Sequence, residues 1–164
     1  MAETVVIGLD PGLTATGFAI VKNNNNEFSL LKSGTLRPKR DLKLWDKLFY
    51  IYNELTTLLR EFSPTEAAIE DVFVSKNAKS ALKLGHVRGV TMLACNLFNL
   101  KIFQYEPSVI KKSLTGKGTA TKKQVKYMVN KLLKLDGNLS FDASDAIAVA
   151  ICHLTQRAFY DRIS

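Results

Sequence analysis

The chain has 164 residues, of which 46% are hydrophobic and 23% are charged, a composition typical of an ordinary globular protein. Its length predicts a single domain over residues 1–164 that buries a substantial core. No apolar run reaches the length of a membrane span, and the N-terminus lacks the basic and apolar regions of a signal peptide. Because Cys95 and Cys152 suggest neither a disulfide framework nor a zinc site, we expect a cytoplasmic protein without a membrane partner.

The positive charge is concentrated in one segment. The chain has 23 basic and 15 acidic residues, and residues 101–134 contain nine lysines and one acid, Glu106. The rest of the chain has fourteen residues of each sign. A basic surface of this extent favours a polyanionic partner, since each neutralised phosphate releases counterions from a nucleic acid. A merely well-solvated surface has the same composition, so charge alone does not establish DNA or RNA as the partner.

Three strands are predicted at the start of the chain, over residues 5–10, 16–22 and 27–37. The first strand ends at Pro11-Gly12, and the four asparagines at 23–26 predict a hairpin loop between the other two. These short apolar segments indicate an antiparallel opening to the fold.

Residues 41–62 follow a helical period instead. The apolar residues at three- and four-residue spacing, which predict the core face of this helix, are Trp45, Leu48, Tyr52, Leu55, Leu59 and Phe62. Asp41 is the expected N-cap, and Ser63-Pro64 is the expected end.

Strands and helices alternate in the remaining sequence. Strands are predicted over residues 67–72 and 101–105, and between them a helix over 78–97 that breaks or packs closely at Gly85 and Gly89. The later helices are predicted over residues 107–114, 121–135 and 141–159, with a loop at 116–118. This order predicts an α/β fold with a mixed five-stranded sheet flanked by helices.

Four acids lie within or beside apolar segments. Asp10 and Glu70 stand at the C-terminal ends of two strands, and Asp142 and Asp145 lie three residues apart on one face of the last helix. A turn, an exposed strand end or a helix cap accounts for single members of this set. All four together predict acids from three elements that converge at one edge of the sheet.

A carboxylate cluster repels itself unless cations bind it, and its oxygen ligands suit Mg²⁺ or Mn²⁺. Two such ions about 3.5–4 Å apart activate a water molecule and stabilise the leaving oxygen in phosphodiester hydrolysis. No Ser-His-Asp or Cys-His arrangement competes, because His86 and His153 are isolated in the sequence. His153 follows Asp145 along one helical face, so a role near the site is one alternative. A structural role for this histidine is the favoured interpretation.

Short motifs form an ordered set along nearly the whole chain. They are IGLDPG (7–12), TG (16–17), IEDVF (69–73), KN (76–77), SALKLG (80–85), RGV (88–90), YEP (105–107), VIKK (109–112), GKG (116–118), KKQV (122–125), DASDAIA (142–148) and CH (152–153). This set resembles the RuvC family of Holliday-junction resolvases. The resemblance implies an RNase H-like fold, a twofold homodimer, paired nicks in four-way junction DNA, and cooperation with a branch-migration motor of RuvA and RuvB.

The resemblance also implies roles for individual residues. The implied catalytic and metal-binding acids, for two Mg²⁺ or Mn²⁺ ions, are Asp10, Glu70, Asp142 and Asp145. The implied DNA-binding residues are Phe73, which stacks on unpaired bases, and Lys76, Lys83, Lys111 and Lys122. The neighbouring lysines Lys112, Lys123 and Lys126 are expected on a solvated helix face.

Three other functions stay open at this point. A non-catalytic junction-binding protein would keep the lysines but would not require the four acids. An actin-like ATPase is suggested by residues 10–14, DPGLT, which resemble a phosphate loop, but that class needs two domains. Another RNase H-like nuclease, acting on hybrids or other branched substrates, would differ only in substrate preference.

Overall fold

The sheet has five strands in the order β3-β2-β1-β4-β5. A computed structural model describes residues 3–25, 27–71 and 77–163, with side chains as far as residue 157. The strands are β1 (Thr4–Asp10), β2 (Thr16–Asn24), β3 (Glu27–Leu36), β4 (Glu66–Glu70) and β5 (Lys101–Tyr105). The first three strands are antiparallel, whereas β4 and β5 run parallel to β1. The predicted mixed five-stranded sheet is therefore confirmed.

Helices cover both faces of this sheet. They are α1 (Leu44–Phe62), α2 (Ala78–Leu97), α3 (Pro107–Thr115), α4 (Lys122–Leu133) and α5 (Phe141–Ile163). Successive side chains of a strand point to opposite faces. Val6 of β1 accordingly packs with α3, α4 and α5, whereas Ile7 packs with α1 and α2. The two hydrophobic layers place β1 at the centre of the molecule.

The start of α1 differs from the prediction. The helix begins at Leu44 rather than near Asp41, and its N-cap, Lys43, makes no side-chain capping hydrogen bond. Trp45, which the periodicity placed on the core face, is 65% exposed. The fully buried residues of α1 begin at Ile51 and Leu48 is partly buried against the core, so only the first turn, which contains Trp45, lies beyond the packed part of the helix.

The predictions for α2 and β4 also need correction. Helix α2 runs without a break, and a Cβ atom at Gly85 or Gly89 would meet nothing within 4 Å, so both the predicted break and the predicted close packing are wrong within the described chain. Strand β4 ends at Glu70 rather than residue 72, and residue 72 lies outside the described residues. Both cysteines are buried and free, as expected. Within the described ranges, no helix combines the length and the apolar character needed to cross a membrane.

Candidate active site

Asp10 and Glu70 lie side by side at one edge of the sheet. Each is the last residue of its strand, and the two strands pair in parallel with Leu9 opposite Ile69. A hydrogen bond joins the two carboxyl groups, which requires a shared proton because a carboxylate has no donor. Burial, this hydrogen bond, and the negative charges of Glu70 and Asp145 raise the pKa of Asp10 to about 8.

Two glycines allow α5 to approach this edge closely. A Cβ atom at Gly8 of β1 would lie 2.2 Å from the carbonyl oxygen of Ala146. A Cβ atom at Gly17 of β2 would lie 2.1 Å from the carbonyl oxygen of Asp142. Any other residue at either position would push the helix away from the sheet. Gly8 and Gly17 therefore set the distance between α5 and the sheet, and with it the position of the acids on α5.

Asp145 lines a cavity of about 320 Å³ together with Asp10 and Glu70. Lys111 of α3 and Lys122 of α4 line the same cavity. The Lys122 Nζ atom donates a hydrogen bond to Asp145 Oδ2 over 2.8 Å. This bond raises the pKa of Lys122 above its usual 10.5, although burial opposes the shift. Three acids from three elements thus converge at one edge, beside two of the four lysines expected to bind DNA.

Asp142 is the predicted acid that does not line this cavity. Its Oδ2 atom accepts a hydrogen bond of 2.7 Å from Arg37, which follows β3. The Arg37 side chain is 61% exposed, and pairs as exposed as this one are weak. The structure therefore brings three of the four acids together and keeps the fourth one helical turn away, against an arginine that sequence reasoning did not single out.

Arg88 is a second arginine whose role sequence reasoning missed. From α2 it donates a hydrogen bond of 2.7 Å to the carbonyl oxygen of Glu70 and forms an ion pair of 2.8 Å with Asp71. It also donates to the side chain of Gln104 on β5. These bonds hold the end of β4, where the Glu70 carboxyl group must be positioned. The RGV motif contained Arg88, but no local pattern indicated a partner 18 residues away.

His153 is buried on α5, away from the cavity, with 2% of its surface exposed. Its Nε2 atom lies 2.7 Å from Glu66 Oε2, and its Nδ1 atom lies 2.7 Å from the Tyr105 hydroxyl oxygen. Arg157 forms an ion pair with the other oxygen of Glu66. Burial lowers the pKa of His153 below 6.5, although Glu66 opposes the shift. A neutral ring that donates to Glu66 and accepts from Tyr105 satisfies all three groups.

Of the other predicted DNA-binding residues, only Lys83 is described, and it is not at the cavity. Phe73 and Lys76 lie outside the described residues. Lys83 is exposed on α2 and does not line the cavity, and His86, also exposed, has its Nδ1 atom 2.7 Å from the carbonyl oxygen of Leu82. Among the described members of this predicted set, Lys111 and Lys122 lie beside the acids.

The side chains that line the cavity suit a hard divalent cation by chemistry. Asp10, Glu70 and Asp145 offer only carboxylate oxygens, the ligands that Mg²⁺ and Mn²⁺ prefer. As the side chains stand, no group of three or more His, Cys, Asp or Glu residues in the described ranges is arranged to hold a metal ion. The negative charge of the acids is compensated instead by the Lys122 ammonium group, 2.8 Å from Asp145 Oδ2, and by the raised pKa of Asp10, which favours its protonated form. A divalent cation can replace both the ammonium group and the proton.

Solved structures with the same fold define the class of the protein. Thermus thermophilus RuvC in complex with a Holliday junction substrate superposes with a TM-score of 0.87, covers 98% of this chain and 96% of that chain, and is 28% identical. The yeast mitochondrial Holliday junction resolvase superposes with a TM-score of 0.67 at 14% identity, a likeness of fold alone. The fold is RNase H-like, and the acids that meet at the ends of β1 and β4 and on α5 are consistent with a nuclease of that class.

Sequence comparison identifies the family. A family model described as crossover junction endodeoxyribonuclease RuvC matches residues 6–153. RuvC of Legionella pneumophila (strain Philadelphia 1) is 44% identical over 154 residues, which are 94% of this chain and 88% of the relative. RuvC of Solidesulfovibrio magneticus is 41% identical over 160 residues, which are 96% and 95% of the two chains. The chain belongs to the RuvC family of crossover junction endodeoxyribonucleases, which are metal-dependent nucleases. The predicted family, fold and enzyme class are confirmed.

Proposed function

We propose that the protein resolves four-way DNA junctions in recombination and repair by paired, metal-dependent hydrolysis of phosphodiester bonds. The observation that carries this proposal is the cavity where Asp10, Glu70 and Asp145 meet Lys111 and Lys122. Acids and lysines at one cavity suit a reaction in which metal-activated water attacks an anionic phosphate. Membership of an endonuclease family favours this reading over the non-catalytic and actin-like alternatives.

The proposal assigns the bound metal to Mg²⁺ or Mn²⁺, with two ions in each active site. Asp10, Glu70 and Asp145 would hold these ions, and Asp142 would join them after it leaves Arg37. When bound, the ions supply a reactive water molecule and stabilise the leaving oxygen. The donor chemistry of the three clustered carboxylates supports this assignment.

The chain's own residues then position the phosphate and exclude a covalent route. Lys111 and Lys122 bind phosphate oxygens and offset the negative charge that grows in the transition state. Because the pKa of Asp10 is raised to about 8, its carboxyl group would release a proton on binding a cation near neutral pH. Among the described residues that line the cavity, none is Ser, Cys, Thr, Tyr or His, so water is the proposed nucleophile and a 5′-phosphate the proposed product. A protein–DNA adduct trapped during turnover would exclude this mechanism.

The first test uses a synthetic four-way junction, with a linear duplex and an RNA–DNA hybrid as controls. Wild type and Asp10→Asn are compared with Mg²⁺ and with EDTA. We expect paired nicking of the junction alone, only with Mg²⁺ and only by wild type, while Asp10→Asn still binds the junction. Junction binding without cleavage by wild type would overturn the catalytic proposal. Preferential cleavage of the hybrid would retain the chemistry and replace the substrate.

A twofold homodimer is part of the proposal, because a junction with twofold symmetry is cut at two related positions. Leu82, Leu93 and Leu97 are exposed on α2, and the space around Gly85 and Gly89 is open. At 100° per residue these five positions fall within a sector of roughly 120°. An apolar stripe with glycines at its centre suits the close approach of the same helix from a second copy.

Analytical ultracentrifugation tests the dimer. We expect wild type to sediment as a dimer and Leu93→Glu as a folded monomer that nicks one strand at a time. Leu31→Glu is the matched control, since Leu31 is an exposed leucine on β3, and it is expected to remain dimeric. A monomeric wild type on junction DNA would overturn this part of the proposal.

The remaining expectations also stay proposals. Phe73, Lys76 and Lys83 are proposed to contact DNA. RuvA and RuvB are proposed partners, and co-sedimentation with junctions that carry RuvA and RuvB tests this. The cytoplasm is the proposed location, which the two free, buried cysteines support.

A further inference from the structure

A second cavity, the Tyr127 pocket, lies on the other side of α4. Its volume is about 400 Å³, within the range of small-molecule sites and ample for one nucleotide. The residues of the pocket that matter here are Lys117, Ala120, Lys123, Gln124, Tyr127 and Met128. The Tyr127 side chain is 64% exposed, so its ring is accessible to a ligand in the pocket.

The walls of the Tyr127 pocket are held by hydrogen bonds. The Thr115 hydroxyl group donates to the carbonyl oxygen of Lys111 over 2.7 Å and accepts from the backbone N–H of Lys117 over 3.2 Å. Thr121 and Gln124 form a reciprocal capping box at the start of α4. The pocket therefore exists before any ligand binds, which reduces the entropy cost of binding.

The base of the pocket is part of the hydrophobic core. Ala120 is buried, and Met128 packs against the core cluster that includes Val125 and Val129. This base fixes the helix from which Tyr127 projects. An aromatic ring on a rigid base presents a flat apolar face to a ligand.

The charge of the pocket is positive. Lys117 and Lys123 are exposed, and no acid is found among the described residues that line the pocket. Glu106 is the single acid in residues 101–134, so neutralising partners within this segment are scarce. Two lysines beside an exposed aromatic ring suit a ligand with both a phosphate group and a flat base. An apolar or basic peptide would leave these charges uncompensated.

The Tyr127 pocket and the catalytic cavity flank the same helix. Lys122 lines the catalytic cavity and Lys123 lines the Tyr127 pocket. Consecutive residues of a helix point about 100° apart, so α4 separates the two sites by about 10 Å, the width of a helix. A DNA strand that leaves the catalytic cavity across α4 reaches the Tyr127 pocket within a few nucleotides.

We propose that the Tyr127 pocket is a second DNA-binding subsite, which holds one unpaired nucleotide of the strand next to the cleavage site. The base stacks on Tyr127, and Lys117 and Lys123 bind the flanking phosphates. This inference rests on the proposed action on four-way junction DNA. It assigns a phosphate ligand to Lys123, which was expected from the sequence to lie on a solvated helix face.

The test measures the affinity of the full chain for a fluorescein-labelled four-way junction in EDTA, by fluorescence anisotropy. The variants are Tyr127→Ala, Tyr127→Phe and, as a matched exposed aromatic on α1, Phe49→Ala. Stacking on one base contributes about 1–3 kcal/mol, so Tyr127→Ala should weaken binding about 5-fold to 100-fold. Tyr127→Phe keeps the ring and should bind within about twofold of wild type, as should Phe49→Ala. Far-UV circular dichroism checks that each variant is folded.

Two further measurements identify what the pocket binds. Junctions that contain 5-iododeoxyuridine near the cleavage site should cross-link to Tyr127 under ultraviolet light, as mapped by mass spectrometry. Lys117→Ala should reduce the slope of log affinity against log salt concentration by about one.

The inference is overturned if Tyr127→Ala binds as wild type does, or if Tyr127→Phe loses as much affinity as Tyr127→Ala. If either result is obtained while wild type still binds and nicks the junction, the Tyr127 subsite is rejected and the proposed function is kept. If wild type does not bind the junction at all, the proposed function itself fails.

Discussion

Asp10 keeps a proton near neutral pH in the metal-free protein because burial and its acidic neighbours raise its pKa to about 8. The folded-state pKa lies above the unfolded value of about 3.8, so the folded state is favoured at low pH. As pH rises from about 4 to about 8, the unfolded chain ionises at Asp10 while the folded protein does not. The contribution of Asp10 to the free energy of unfolding is therefore lost progressively across this window.

Asp10→Asn removes this titration. In EDTA, we expect the stability of wild type relative to Asp10→Asn to fall between pH 5 and pH 8, by up to about 1.4 kcal/mol per pH unit. Urea denaturation of both proteins at several pH values measures the difference. Parallel pH profiles for the two proteins would contradict the shared proton.

The titration of His153 has the opposite effect on the pH dependence of stability. Its folded-state pKa is lowered below 6.5, so its contribution to stability is complete above pH 6.5 and is lost as pH falls through the folded-state pKa. We expect His153→Gln to be less stable than wild type at pH 8, because the bonds to Glu66 and Tyr105 are weakened. The difference should shrink towards pH 5, as measured by urea denaturation in an Asp10→Asn background. A difference that is constant with pH would mean that folding does not shift the pKa of His153, and one that grows towards pH 5 would mean that folding raises it.

At the scale of elements, periodicity predicted the sheet and most helices, and it predicted that acids meet at one edge. Asp10 and Glu70 could be placed because both end parallel strands. The exposure of Trp45 could not be predicted. Its spacing fits the apolar stripe, but its burial depends on how far α1 extends past the sheet. Hydrophobic spacing identifies a helix but not the length over which that helix packs.

The contacts of the arginines could not be predicted for a different reason. Arg37 meets Asp142 across 105 residues of sequence, and Arg88 meets the Glu70 carbonyl across 18. Neither contact leaves a local pattern, since each depends on the packing of a helix against the sheet. The same holds for the position of Asp142, which shares a helix face with Asp145 but has a different partner.

The approach of α5 to β1 gives a prediction at this scale. Gly8→Ala places a methyl group 2.2 Å from the backbone oxygen of Ala146 and 2.8 Å from the Cβ atom of Ala150. Because backbone must move, we expect a loss of about 3 kcal/mol or more in the free energy of unfolding, and a loss of nuclease activity. Gly89→Ala is the control, made in the Leu93→Glu background so that the proposed dimer contact at Gly89 is absent, and there it should add about 0.5–1 kcal/mol because open space surrounds that position in a helix. Urea denaturation measures both; equal stabilities of Gly8→Ala and wild type would contradict the close contact.

At the scale of the whole molecule, the positive charge lies on the segment that contains α3 and α4, which form one wall of the catalytic cavity. If Lys111, Lys117, Lys122 and Lys123 bind phosphates, each protomer releases about four counterions on binding DNA. The slope of log affinity against log salt concentration should then be about −4 or steeper for each protomer. Fluorescence anisotropy titrations of a labelled junction, at salt concentrations between about 50 and 300 mM, measure the slope. A flat response would remove these lysines from the interface.

The sheet order has a consequence for the dynamics of the enzyme. Strand β1 is bonded on both sides, and the side chains of Val6, Ile7 and Leu9 are fully buried between the two helical layers. Its amide protons can exchange with solvent only when the whole sheet opens, so they should be among the slowest in the protein. Asp10 is attached directly to this strand, whereas the lysines project from peripheral helices. The chemistry is thus fixed to the most rigid part of the protein, and the surface that must adapt to a bent substrate belongs to parts that can open locally.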